Sequence, residues 1–131
     1  MLTDGGGVPL AATVGPASAH DVRGLLPTAT ACPLPGYGTP GRTPRVLYGD
    51  RAYRSRRHEA VLRWVGIRPR FARPGAGHGS GLGVYRWVVE RTIAHLHQSR
   101  RLKVRYERRA DIHQGFLTLA CIRLCWLRLK R

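Results

Sequence analysis

The order of apolar and polar positions divides the 131-residue chain into short extended runs and longer helical stripes. Leu2 and Thr3 lead into Asp4-Gly5-Gly6-Gly7, and Val8 to Val14 then run largely apolar. Asp-Gly and Gly-Gly tolerate positive φ, so this opening predicts a hairpin with one very short arm. Val22, Leu25, Leu26 and Ala29 recur at helical spacing within residues 15–31, with Ser18 or Asp21 available as caps. Pro27 interrupts that stripe and predicts two short helical pieces. Cys32 to Pro44 holds four Pro and three Gly, the composition of a surface loop.

The middle of the chain alternates element types. Val46-Leu47-Tyr48 predicts a strand that ends at Asp50. Ser55 caps a helix through about Val65, and Gly66 is placed to end it. Ile67 to Ala72 alternates apolar with Arg68 and Arg70, a further strand, with Pro69 confining it to an edge. Strand, helix, strand in this order implies a parallel pair. Pro74 to Gly83 is a Gly-rich loop. Val84 to Leu102 predicts one long helix with Tyr85, Val89, Ile93 and Leu96 as its apolar stripe. A last helix runs from Asp111, as cap, to Leu129. It is apolar on nearly all sides, so it is either deeply buried or part of an interface. The chain thus divides into 1–41 (hairpin, helix and loop), 42–73 (strand–helix–strand), the 74–83 loop, and 84–131 (C-terminal helices).

Charge changes this picture most. Lys plus Arg number 23 against 7 Asp plus Glu, a formal net charge of +16. Twenty-one of the bases are Arg, and residues 1–41 hold only one of them, Arg23. Residues 42–131 therefore carry nearly all the charge, which points to a polyanionic partner. A small-molecule enzyme without an anionic substrate fits poorly. The N-terminus lacks a basic-then-apolar leader, and the tract Phe116 to Leu129 is too short and too charged to span a membrane. Three Cys, an odd and sparse count, point away from a disulfide framework, and Cys121 with Cys125 lacks enough nearby partners for zinc. Residues Arg100 to Arg109 set six bases against Glu107, a stretch suited to phosphate contacts. Tyr106 within it can stack on a base or pack against the protein.

Few carboxylates are available for chemistry. Asp50 lies at the C-terminal end of a strand in a βαβ unit, an edge that favours catalytic groups, although capping the next helix explains it equally well. Glu90 shares a helix face with Arg86 and His97, either as a site or as a solvated ion pair. Two acids on separate elements beside a basic stretch suit metal-dependent phosphoryl transfer, for which hard cations need oxygen ligands. Asp4, Asp21, Glu59, Glu107 and Asp111 read as turn, cap or surface residues.

The segments TDGGGVPLAATV (3–14), AHDVRGLLP (19–27), LYGDRAY (47–53), GIRPRFAR (66–73), HGSGLGVYRWVVERTIAHLHQSRRLKVRYERRADIH (78–113) and FLTLACIRLCWLRL (116–129) cover most of the chain. Together they resemble the catalytic domain of bacterial insertion-sequence transposases of the DDE type, in the type-five group. The resemblance implies an α/β, ribonuclease-H-like fold with a mixed sheet. It implies Mg2+ (or Mn2+) held by two Asp and one Glu, with Asp50 matching the second Asp and Glu90 the Glu. Arg86 matches the Arg four residues before that Glu. Gly83 stands where the related signature has Tyr, and His97 where it has another base.

The same resemblance places the first Asp upstream of the hairpin, so the chain is expected to be N-terminally truncated, with its first strand missing. Asp4 matches a turn residue instead. The intact family cuts and joins double-stranded DNA at transposon ends by hydroxyl attack on phosphodiesters. Arg86, His97, Arg100, Arg101, Lys103, Arg105, Arg108 and Arg109 are then the expected DNA contacts. The expected partners are DNA, a second copy, or the upstream transposase portion, in the bacterial cytoplasm at the nucleoid and not at a membrane. The alternative is an inactive DNA-binding remnant that interferes with a full-length transposase.

Overall fold

A computed structural model describes residues 1–32, 44–72 and 83–130. The expected loop over Cys32 to Pro44 and the Gly-rich loop lie almost wholly outside these residues. Strands β1 (Leu2–Thr3) and β2 (Pro9–Ala11) form an antiparallel pair with an irregular register. Its turn is organised by Asp4, whose Oδ1 accepts hydrogen bonds from the backbone of Gly6 at 2.9 Å and Val8 at 2.8 Å. Helix α1 (Val22–Thr30) follows as one continuous helix that contains Pro27, not as two pieces. Proline removes one backbone donor, but packing of Leu25, Thr28 and Ala29 holds the helix together.

Strand β3 (Val46–Gly49) pairs in parallel with β4 (Arg68–Phe71), joined by a 3-10 turn (Arg51–Tyr53) and helix α2 (Arg56–Trp64). Ser55 caps α2, and Gly66 follows it at φ 83°, a conformation that favours glycine. Leu25, Leu47, Leu62 and Ile67 form the buried cluster, with Leu2, Leu26, Tyr53 and Phe71 packed around it. The described strands make two separate two-stranded sheets rather than one mixed sheet. A cavity of about 770 Å³ lies between them, lined by β1, α1, β3 and the next helix.

The long helix expected over 84–102 breaks. Helix α3 (Gly83–Leu96) ends before His97, a turn follows, and α4 (Arg100–Lys103) is a single turn. Its buried ridge is Val88, Thr92 and Leu96, while Tyr85 from the expected stripe is exposed. Thr92 is the decisive residue. It is 2% exposed, and its hydroxyl reaches the carbonyl of Gly7 at 2.9 Å as well as that of Val88 at 3.0 Å. Gly7 has φ 87°, and a Cβ there would sit 3.0 Å from the Thr92 hydroxyl, so the residue must be glycine. Arg91 adds a bond to the Gly6 carbonyl at 3.0 Å.

Helix α5 (Ala110–Leu129) closes the chain, and Asp111 sits in its first turn rather than at its cap, which is Arg109. Gln114 straps α5 to the end of the hairpin, donating to Ala12 O and accepting from Val14 N, both at 2.8 Å. No helix among the described residues is long and apolar enough to cross a membrane. Thr92→Val keeps the shape but leaves a buried carbonyl without its donor. It is expected to cost about 1–3 kcal/mol in urea unfolding with an unchanged slope. An unchanged midpoint would remove Thr92 from this role.

Candidate functional site

Two contacts bring the expected acids together. Tyr48 on β3 and Tyr85 on α3 stack with ring centroids 4.0 Å apart and planes 11° from parallel. Tyr48 is two residues before Asp50, and Tyr85 is next to Arg86, so this stack sets the strand end against the helix. Arg86 Nη2 then lies 3.7 Å from Asp50 Oδ2 and 3.9 Å from Glu90 Oε1.

Asp50 caps the 3-10 turn that follows its strand and leaves one carboxylate oxygen directed elsewhere. Its Oδ1 caps the 3-10 turn, accepting from Arg51 N at 2.6 Å, while Oδ2 faces Arg86. All three side chains are about half exposed or more. Exposed ion pairs of this kind add little stability, so folding alone gives weak reason for the grouping. The two acids reach one nitrogen, which limits their oxygens to about 8 Å apart, a span that a pair of divalent ions about 4 Å apart can bridge. Carboxylates from two elements are the hard oxygen donors that Mg2+ takes, and the Arg86 cation already sits between them. No group of three or more His, Cys, Asp or Glu gathers among the described residues. Asp50 and Glu90 are thus the two carboxylates that meet at Arg86.

His97 lies just past the end of α3, its backbone N–H bonded to Ile93 O at 2.9 Å. The remaining bases separate into two sets. Arg101 pairs with Glu107 at 2.7 Å, Arg105 folds onto the carbonyls of Glu107 and Arg108, and Arg109 pairs with Asp111. Arg100, Lys103 and Arg108 are exposed and make no ion pair among the described residues.

Glu107 is the residue that sequence reasoning missed. Its side chain is only 6% exposed, although it lies in a highly charged stretch. It accepts from Arg101 and lies 3.5 Å from His113 Nδ1, joining the connector after α4 to α5. Desolvation pushes its pKa up, but hydrogen bonds from Arg101, the backbone and His113 outweigh it and hold the carboxyl below its ordinary value. The six-residue step from Glu107 to His113 was visible, but nothing in it marked the fold between them. Asp111 is also held low, chiefly by Arg109.

Comparison with known proteins gives these positions their context. A family model described as the transposase DDE domain matches residues 1–125. The chain belongs to that family. A Burkholderia cepacia protein described as a transposase for insertion sequence element IS402 is 53% identical over 133 residues. That match covers all of this chain and 63% of the relative's length. No solved structure matches the chain.

A group whose folded pKa is lowered adds stability above its unfolded pKa and loses it as pH falls through the folded one. Glu107→Gln is therefore expected to lower stability at pH 7 and to flatten its loss on acidification from about 4.5 downward. Urea titrations at pH 7 and pH 3 test this. Parallel pH profiles for the two proteins would contradict it.

Proposed function

We propose that this chain supplies two metal-holding carboxylates and a phosphate-binding face to the DNA-joining site of an insertion-sequence transposase. The observation that carries this reading is the convergence of Asp50 and Glu90 on Arg86. The family match supports the reaction class, phosphodiester cleavage and strand transfer at transposon ends. Asp50 and Glu90 would hold Mg2+ or Mn2+, each through the oxygen that now faces Arg86. Bound divalent ions supply charge stabilisation at the phosphate and align the attacking and leaving oxygens.

The protein's own groups do the rest of the positioning. Asp50 keeps its second oxygen on Arg51 N, so its free oxygen is fixed in direction. With the acids occupied by metal, Arg86 would be free to hold two oxygens of a phosphate bidentately. Arg100, Lys103 and Arg108 neutralise DNA phosphates, with His97 at the near end of this face. Arg101, Arg105 and Arg109 keep the connector in shape and contribute longer-range charge.

The third oxygen ligand of the ribonuclease-H-like arrangement comes, in this proposal, from polypeptide beyond these 131 residues. The cavity between β1 and β3 supports that assignment, since a strand seated there would join the two small sheets into one mixed sheet. The chain's coverage of 63% of its relative is consistent with it. Alone, the chain then binds duplex DNA at the bacterial nucleoid without cutting it, and would compete with a complete transposase.

Binding is expected to weaken steeply with salt. Replacing Arg100, Lys103 and Arg108 together by Ala should lower the log–log salt slope by roughly 2–3, at about 0.9 per lost phosphate contact. No Mg2+-dependent cleavage of end-containing DNA is expected. Salt-independent binding would contradict the DNA face. Cleavage that is lost in Asp50→Asn would contradict the need for a third ligand.

A further inference from the structure

The parallel pairing of β3 and β4 sorts their side chains between two faces. Val46, Tyr48 and Asp50 alternate along one strand, and the register sets Val46 beside Arg68 and Tyr48 beside Arg70. Ala72 N–H donates to Gly49 O at 3.3 Å, so the ladder continues to the level of Asp50. The other face carries Leu47 and Ile67, which are buried with Leu62 of α2. Arg68 and Arg70 therefore project from the face that bears Asp50 and the Tyr48–Tyr85 stack, opposite to α2. Both are exposed, and neither makes an ion pair among the described residues.

Strand geometry fixes how far these arginines lie from the candidate site. Arg70 is one strand over from Asp50 and two residues back, which separates their α carbons by about 8 Å. Arg68 and Arg70 are about 6.6 Å apart on the same scale, while phosphates of one DNA strand recur about every 3.4 Å of duplex axis, so the two arginines take separate phosphates. Pro69 between them has a fixed φ, which stiffens the strand and holds that spacing. Arg86 alone would leave a bound strand free to pivot about one phosphate. A second anchor on a different element removes that freedom.

We infer that Arg68 and Arg70 are positioning residues, which hold phosphates of the same DNA strand that Asp50 and Glu90 engage and so set its direction across the sheet. This rests on the reading of those acids as the metal-holding pair. The strand then crosses the Tyr48–Tyr85 stack, whose rings are 41% and 45% exposed and offer an apolar surface to its sugars. Arginine suits the task because its guanidinium stays charged and can take two oxygens of one phosphate.

Fluorescence anisotropy of a labelled duplex oligonucleotide with the full chain, across a salt series without divalent ion, tests this. Arg68→Ala combined with Arg70→Ala should lower the log–log slope by roughly 1.8, at about 0.9 per phosphate, and the paired Lys substitutions should keep it. Arg56→Ala combined with Arg57→Ala removes the same charge from α2, behind the sheet, and should leave the slope nearly unchanged. All four positions are exposed, so urea midpoints should match that of the unaltered chain. A photo-reactive benzoylphenylalanine in place of Arg70 should cross-link to the DNA, and one in place of Arg57 should not. An unchanged slope for the Arg68 and Arg70 pair, while loss of Arg100, Lys103 and Arg108 lowers it, would overturn this inference alone. Equal losses from the two arginine pairs would also overturn it, because they would mark attraction to net charge. A lowered slope with no Mn2+ effect at Asp50 or Glu90 would instead count against the metal reading and leave the phosphate contacts standing.

Discussion

The hydroxyl of Thr92 against the carbonyl of Gly7 fixes where helix α3 sits, and the candidate site depends on that placement. The bond joins residues 85 apart in the chain and is almost completely removed from water. A polar contact in such surroundings is strong when made and costly when lost. It also sets register. Sliding α3 by one turn, about 5.4 Å, would leave the Gly7 carbonyl unpaired and carry Arg86 away from Asp50. The Tyr48–Tyr85 stack holds the same helix from the other end, against β3. Arg86 and Glu90 are therefore delivered to the strand end by a helix pinned at two points.

The charge of the chain has an internal division of labour. Glu107 and Asp111 tie down Arg101 and Arg109, and Arg105 is folded onto its own connector. These contacts give shape to a stretch that would otherwise repel itself. Arg100, Lys103 and Arg108 are exposed, make no ion pair among the described residues, and are free to meet an anion. Among the described residues, Arg86 is the one base within ion-pair distance of Asp50 and Glu90. A cation between two half-exposed carboxylates is a modest stabiliser, and its more telling property is that a harder cation could take its place.

Local pattern made several elements legible in the sequence. Asp4 and its glycines announced the hairpin turn, Ser55 and Gly66 bracketed α2, and the alternation from Ile67 announced β4. Each of these is a short-range signal with a short-range cause. What stayed hidden depended on partners distant in sequence. Pro27 does not split α1, because packing outweighs the lost hydrogen bond. The buried ridge of α3 runs through Thr92, a polar residue whose burial makes sense only with Gly7 beside it. Leu96 ends α3, where uninterrupted periodicity suggested a longer helix. At the site, Asp50 and Glu90 were legible as candidate acids, but their meeting at Arg86 was not, since it needs the tertiary position of α3. Glu107 was hidden for the opposite reason. Its highly charged neighbourhood suggested solvent, while the fold buries its carboxylate.

The central claim is that Asp50 and Glu90 act as one cation-binding unit. Titrating the isotopically labelled chain with Mn2+ and following its amide signals tests this most directly, because the paramagnetic ion broadens nearby groups. The account predicts that amides around Asp50 and Arg51 broaden together with those around Arg86 and Glu90, over the same Mn2+ range, and that Asp50→Asn abolishes both effects. Broadening of the two segments at different Mn2+ concentrations, or persistence at Glu90 in the Asp50→Asn protein, would contradict it.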